Sequence, residues 1–299
     1  MFTADLLKGR RALITGGGTG LGLAIAGRYA ELGADLVLVG RRADVLDDAA
    51  ASLAARHGVT VDAISCDVRD AIAVDAMMDR AFATRPVDIL VNNAAGNFLA
   101  RSETLSPRAV DAIIDIVLKG SANVTLAAGR RWVSAGLPAA VLCILTQSAL
   151  TGAPYKLPSA MAKAGVLAMI RSLAVEWGPH GIRLNGIAPG PFPTEGAFGR
   201  LRPAGTEMPP PEAGVALGRT GKPAELADLA AFLVSDGAGY ITGEVLAIDG
   251  GRRLEGAAGP DLAALRGWTP AVWDSLRGVG RAAAPASADE AIPAIKDRS

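Results

Sequence analysis

The sequence predicts an α/β fold, doubly wound around a parallel sheet. Three observations carry this. Short apolar runs alternate with longer amphipathic stretches for most of the chain, the signature of repeated right-handed βαβ units. A glycine-rich octet, Thr15 to Gly22, joins the first apolar run to the first amphipathic stretch. At 299 residues, half of them apolar, the chain can bury one large core.

Strands are expected at Arg11 to Thr15, Asp35 to Val39, Val61 to Cys66, Asp88 to Val91, Ala139 to Leu145, Ile182 to Ile187 and Val245 to Ile248. Each is a run of four to seven residues rich in apolar side chains. Helices are expected at Gly20 to Leu32, Asp44 to Arg56, Ala71 to Thr84, Pro107 to Ala135, Pro158 to Trp177 and Pro223 to Ser235. Proline near the first turn suits the helix from Pro158, because the missing N–H has no helical partner there.

Two segments break the alternation. Pro189 to Gly214 is rich in proline and glycine and follows the carboxyl end of a strand, which suggests a lid over a site. Residues 1–255, lid included, form the one expected α/β domain; residues 256–299 form a C-terminal extension. That extension holds one helix-like piece around Trp273 and ends in a poorly ordered tail.

Composition excludes several classes of function. Thirty basic residues balance thirty acidic ones, so no charge excess points to nucleic acid. No leader and no run of about twenty apolar residues is evident, so no membrane partner and a cytoplasmic location are expected. Cys66 and Cys143 lie in strand-like runs and read as buried thiols. His57 and His180 read as loop residues, leaving no metal set.

The octet contains Gly16, Thr19, Gly20, Leu21 and Gly22. Between a strand and a helix, its glycines let the backbone approach a pyrophosphate at the helix N-terminus. The second strand ends in Gly40, Arg41 and Arg42. An acidic residue at the place of Gly40 would hold a ribose 2′-hydroxyl. Two arginines without it favour a 2′-phosphate, hence NADPH (NADP+). Asp67 and Val68, at the end of the third strand, are expected near the adenine.

Four motifs occur in one order: the octet, Asn92-Asn93-Ala94-Ala95-Gly96, Ser159-x-x-x-Lys163 and Pro189-Gly190. From Lys8 to Arg253 the chain resembles the short-chain dehydrogenases/reductases. Narrower strings resemble the 2,4-dienoyl-CoA reductases of the mitochondrial type and their bacterial relatives. These are Asn92 to Phe98, Leu105-Ser106-Pro107, Asp115 to Gly120, Pro158 to Gly165 and Ala188 to Pro191. The resemblance implies a Rossmann fold with a seven-stranded parallel sheet flanked by helices, a homotetramer, and an acyl-CoA as small-molecule substrate. It also implies cofactor contacts from Asn93, Ala94, Lys163, Pro189, Gly190 and Thr194.

Most members of the larger family place a tyrosine four residues before the lysine. Ser159 stands there, and a serine hydroxyl is a far weaker acid than a phenol. The dienoyl-CoA reductases share this serine. Their chemistry, which needs an enolate oxygen stabilised rather than protonated, tolerates it. By resemblance, Asn97 and Ser159 donate to that oxygen, and Lys163 binds the nicotinamide ribose. The subfamily also carries a tyrosine where this chain has Ser148. Tyr155 lies nearby, and is read either as a replacement phenol or as a wall residue. Gln147 and Ser148 imply a more polar pocket. The leading expectation is an NADPH-dependent enoyl-thioester reductase. The alternatives are a ketone or imine reductase with Tyr155 or Ser148 in the proton path, and a non-catalytic NADPH-binding protein.

Overall fold

A computed structural model describes residues 2–194, 207–255 and 262–275. The lid expected at Pro189 to Gly214 is therefore described only at its two ends, and the tail beyond residue 275 lies outside the described residues. The chain divides into two compact units, Met1–Arg253 and Leu254–Ser299.

In the first unit, seven parallel strands make one sheet. They are β1 (Arg11–Thr15), β2 (Asp35–Gly40), β3 (Val61–Ser65), β4 (Ile89–Asn92), β5 (Ala139–Ile144), β6 (Ile182–Pro189) and β7 (Val245–Ile248). Their spatial order is β3-β2-β1-β4-β5-β6-β7. The order reverses direction between β1 and β4, where Ala12 to Ile14 pairs with Ile89 to Val91. A crevice forms outside the carboxyl ends of the strands at such a point.

Alternation along the strands builds two cores, because successive side chains point to opposite faces. Ala12, Ile14, Leu36, Leu38, Ile89 and Val91 face one side. Leu13, Val37, Val39 and Leu90 face the other. Helices α1 (Gly20–Glu31) and α2 (Ala43–His57) cover the first face, and α3 (Ala71–Phe82) the second. Arg11 is the one buried cation of β1. Its guanidinium donates to the Ala81 and Arg85 carbonyls and pairs with Asp62 at 2.6 Å, which satisfies the charge.

The long helix expected at Pro107 to Ala135 is continuous but not uniform. It comprises α4 (Pro107–Ile114), a π-helical turn over Asp115–Lys119, and α5 (Gly120–Ala135). Ser106 caps it, its hydroxyl accepting from the Ala109 N–H at 3.2 Å. By length and composition this helix could cross a membrane, yet half of it is buried within the fold. Val117, Val124 and Trp132 are fully buried in it.

A short helix not expected from the sequence, α6 (Ser148–Thr151), follows β5. It leads to α7 (Leu157–Glu176). Helix α8 (Pro223–Val234) packs on α1, where the Tyr29 hydroxyl donates to the Ala230 carbonyl at 3.0 Å. In the second unit a helix begins at residue 270, and the rings of Trp268 and Trp273 meet at a tilt of 59° with centroids 5.0 Å apart.

Candidate active site

The turn after β1 is shaped by what its glycines leave empty. Gly16 adopts φ 67° and Gly20 φ 57°, conformations that L side chains rarely hold. A Cβ on Gly22 would overlap the Gly16 carbonyl oxygen, so only glycine lets α1 begin this close to the turn. The Thr194 side chain lies 3.7 Å from where a Gly20 Cβ would stand. Thr194, after β6, thus reaches the phosphate turn, while Thr19 N-caps α1 and Leu21 lies in its first turn.

The turn is tied to the loop after β4. The Thr15 hydroxyl accepts from the N–H groups of Asn93 (3.0 Å) and Ala94 (3.1 Å) and donates to the Val91 carbonyl at 3.3 Å. The Asn93 amide donates to the carbonyls of Thr15 (3.0 Å) and Gly16 (3.2 Å). One threonine and one asparagine therefore lock two strand ends together. Each residue lies in a different motif, and their pairing depends on β1 and β4 being neighbours, which local patterning does not specify.

At the end of β2, Gly40 is not demanded by space. A Cβ there would meet only Leu46, at an ordinary 3.6 Å. Packing therefore does not explain the missing carboxylate. Arg41 and Arg42 are exposed, and neither forms an ion pair among the described residues. Two unpaired guanidiniums suit a phosphate. Asp67 pairs with Arg69, Nη2 to Oδ2 at 2.5 Å, and that hydrogen bond holds its carboxyl below the usual range. Val68 is buried over Gly120, with its carbonyl accepting from Asn123 at 3.0 Å.

The reacting end gathers residues from β4, β5, β6 and α7. Asn97 follows β4, and its Oδ1 accepts from the Phe98 N–H at 2.9 Å. With its oxygen taken by that N–H, the amide leaves Nδ2 a donor with no partner among the described residues. Phe98 packs with Ile113, Val117 and Ala162, so the loop leans on the π-turn and on α7. Ser159 and Lys163, one turn apart on α7, are both buried. The Lys163 ammonium donates to the Ile144 carbonyl at the end of β5. Burial pushes it down to about 8, and neighbouring Cys143 opposes that shift. Such a pKa is typical of functional lysines.

Ser148 opens α6, its hydroxyl 3.3 Å from that of Thr146. The Gln147 amide nitrogen donates to Asp249, just past β7, so its polar end is engaged. Asp249 also accepts from the N–H groups of Gly251 (2.9 Å) and Arg253 (3.0 Å). This β5–β7 bridge left no local mark in the sequence. Beside it, Gly190 passes so close to Asp249 that a Cβ would stand 2.7 Å from the Asp249 Cα. Tyr155 is 62% exposed, and its carbonyl accepts from the Ala100 N–H at 3.0 Å. Its ring therefore does not sit beside Lys163 in the buried part of the site.

A glycine cradle at a helix N-terminus, set at the reversal point of a parallel sheet, defines a dinucleotide-binding α/β protein. The chain belongs to the short-chain dehydrogenase/reductase family, and it is an oxidoreductase of that type. Residues 16–253 match the family model described as Enoyl-(Acyl carrier protein) reductase. An uncharacterised oxidoreductase of Caenorhabditis elegans is 48% identical over 256 residues, 83% of this chain and 80% of that protein. A protein named as a probable 2,4-dienoyl-CoA reductase in the same organism is 42% identical, over 83% of this chain and 81% of its own length. A solved structure, described as a candidate NAD(P)-dependent gluconate 5-dehydrogenase from Beutenbergia cavernae with bound NADP, aligns with a TM-score of 0.78. It is 30% identical and covers 84% of this chain and 100% of that one.

Proposed function

We propose that this oxidoreductase uses NADPH to reduce an activated alkene carried as a thioester, of the 2,4-dienoyl-CoA class. One observation carries the reading: the buried lysine has a buried serine, not a phenol, one turn before it. Of the three tyrosines, Tyr29 is buried against α8, Tyr240 is fully exposed, and Tyr155 is largely exposed. A ketone reductase needs an acid at the substrate oxygen. A conjugated thioester needs its enolate oxygen held by donors.

When bound, NADPH supplies a hydride. Water supplies the proton that the enolate takes at carbon, and the chain's own residues bind and polarise. The cradle from Gly16 to Gly22 accepts the pyrophosphate against the N-terminus of α1. Arg41 and Arg42 meet the 2′-phosphate. The free Nδ2 of Asn97 and the Ser159 hydroxyl donate to the thioester oxygen as negative charge grows there. The buried Lys163 ammonium holds the ribose and favours that charge. The named relative supports the substrate class, and the NADP-bound neighbour supports the cofactor. The test is NADPH oxidation against dienoyl-CoA, enoyl-CoA, ketone and imine substrates with product identification. Turnover of ketones but not of dienoyl-CoA would refute the reading.

Cofactor choice has its own test. Replacing Arg41 and Arg42 with alanine removes charge-assisted hydrogen bonds worth roughly 1.5–3 kcal/mol each. NADPH affinity should fall steeply while NADH affinity barely moves, as read by fluorescence titration. Parallel losses would mean that these arginines do not read the 2′-phosphate.

The reading includes a homo-oligomer. Leu126 and Val133 on α5 and Met161 and Val175 on α7 are exposed apolar side chains, which supports burial against a second copy. Light scattering should give a mass above that of one chain, and Leu126→Glu with Met161→Glu should lower it. A monomeric wild-type protein at micromolar concentration would remove this part of the proposal.

A further inference from the structure

Helix α6 has little of its own to hold it in place. It is four residues long, and none of its side chains is buried. A single turn is not stable alone, because fixing its backbone costs more than its few hydrogen bonds return. It nevertheless carries Ser148, a candidate for the reacting end, and it packs on α7, which carries Ser159 and Lys163. Contacts from outside the helix must therefore fix where it begins.

Gln147, the residue that starts α6, makes such a contact. Its carbonyl accepts from the N–H groups of Leu150 (2.9 Å) and Thr151 (3.3 Å). Its side chain does not cap the helix. It reaches across the end of β6, the strand between β5 and β7, and its amide nitrogen donates to Asp249. Asp249 is 9% exposed. Its carboxylate accepts three N–H groups, from Gln147, Gly251 and Arg253, and no cation pairs with it among the described residues. Three donors on one acceptor-only group fix both its place and its orientation. The backbone beneath is equally close: Gly190 donates its N–H to the Ile248 carbonyl at 2.9 Å, and a side chain at 190 would collide with Asp249.

We propose that Asp249 is a positioning residue: through Gln147 it fixes the start of α6, and with it the placement of Ser148 beside the lysine helix. Asp249 acts on the reaction only through that one link. The role holds for whichever substrate the site takes, so it stands apart from the thioester reading. Displacing a wall of a site by about 1 Å can cost on the order of a hundredfold in rate.

The test cuts the link from each side. In Gln147→Leu, which leaves the backbone partners of Asp249 intact, and in Asp249→Asn, kcat for the best substrate of the panel should fall at least tenfold. KM for NADPH should stay within twofold. The double variant should lose no more than Asp249→Asn alone, since both changes break one contact. Multiplying losses, a parallel rise in KM for NADPH, or wild-type kcat in Gln147→Leu would overturn the assignment. Gln147→Glu separates positioning from packing. Two carboxylates sharing a site raise the pKa of one, and the protonated form can again donate. The ratio of variant to wild-type kcat should therefore rise at least fivefold from pH 8 to pH 6; a constant ratio overturns the role. If no substrate of the panel is reduced by any form, amide hydrogen exchange replaces the rate. The N–H groups of Leu150 and Thr151 should exchange at least tenfold faster in Gln147→Leu than in the wild type, with those of α7 unchanged. Equal exchange at α6 in the two proteins overturns the proposal whatever the substrate is.

Discussion

Replacing Lys163 with methionine is expected to lower kcat/KM for the dinucleotide by at least a hundredfold. The side chain is fully enclosed, and its ammonium is bonded to the last carbonyl of β5. Methionine fills much of the volume but supplies neither charge nor donor. The pH profile makes the test specific. Burial holds the lysine at about 8 in the folded protein, against 10.5 for an ordinary lysine. Above pH 8 the folded protein therefore loses the charge while the unfolded chain retains it. The wild-type kcat/KM should fall with rising pH through about 8, as the free enzyme titrates. Over the same window, from about 8 to 10.5, the lysine's own contribution to stability should rise, because the unfolded state binds more protons there. Activity and stability thus move in opposite directions. Steady-state rates and thermal melts in parallel would show it, and the methionine variant should show neither slope. A wild-type rate that is flat from pH 7 to 10 would refute the role.

Asn97→Ala should cost about a hundredfold or more in kcat, the usual loss for one oxyanion donor. The structure sharpens the expectation, because the amide oxygen accepts from the Phe98 N–H and leaves Nδ2 without a partner among the described residues. Tyr155→Phe should cost little, since the ring is largely exposed. Ser148→Tyr should raise activity toward 2,4-dienoyl-CoA relative to other substrates, by adding a phenol at the first residue of α6. Dienoyl-CoA and ketone rates measured on all three variants give the comparison. A large loss for Tyr155→Phe with a small one for Asn97→Ala would reverse the assignment toward ketone or imine reduction.

Much of this architecture was legible from the chain. All seven strands and six major helical segments follow from apolar periodicity, with ends shifted by a residue or two. The phosphate turn and the lysine helix follow from short motifs whose chemistry is local. Contacts across the sheet were hidden. The Gln147–Asp249 bridge joins residues 102 apart in sequence, and a pattern read over neighbouring residues cannot foresee it. The π-turn at Asp115–Lys119 was hidden for another reason. It shifts hydrogen bonds by one residue without changing which residue types are apolar. The pairing of Asp67 with Arg69, two residues on, needed side-chain geometry to be seen.

The Thr15 hydroxyl couples two parts of the site. It is the common anchor of the phosphate turn and of the strand end that leads to Asn97. The Asn93 amide, bonded to the carbonyls of Thr15 and Gly16, doubles that tie. The phosphate turn and the loop toward Asn97 are thus one connected piece of backbone, so a displacement of either is carried to the other.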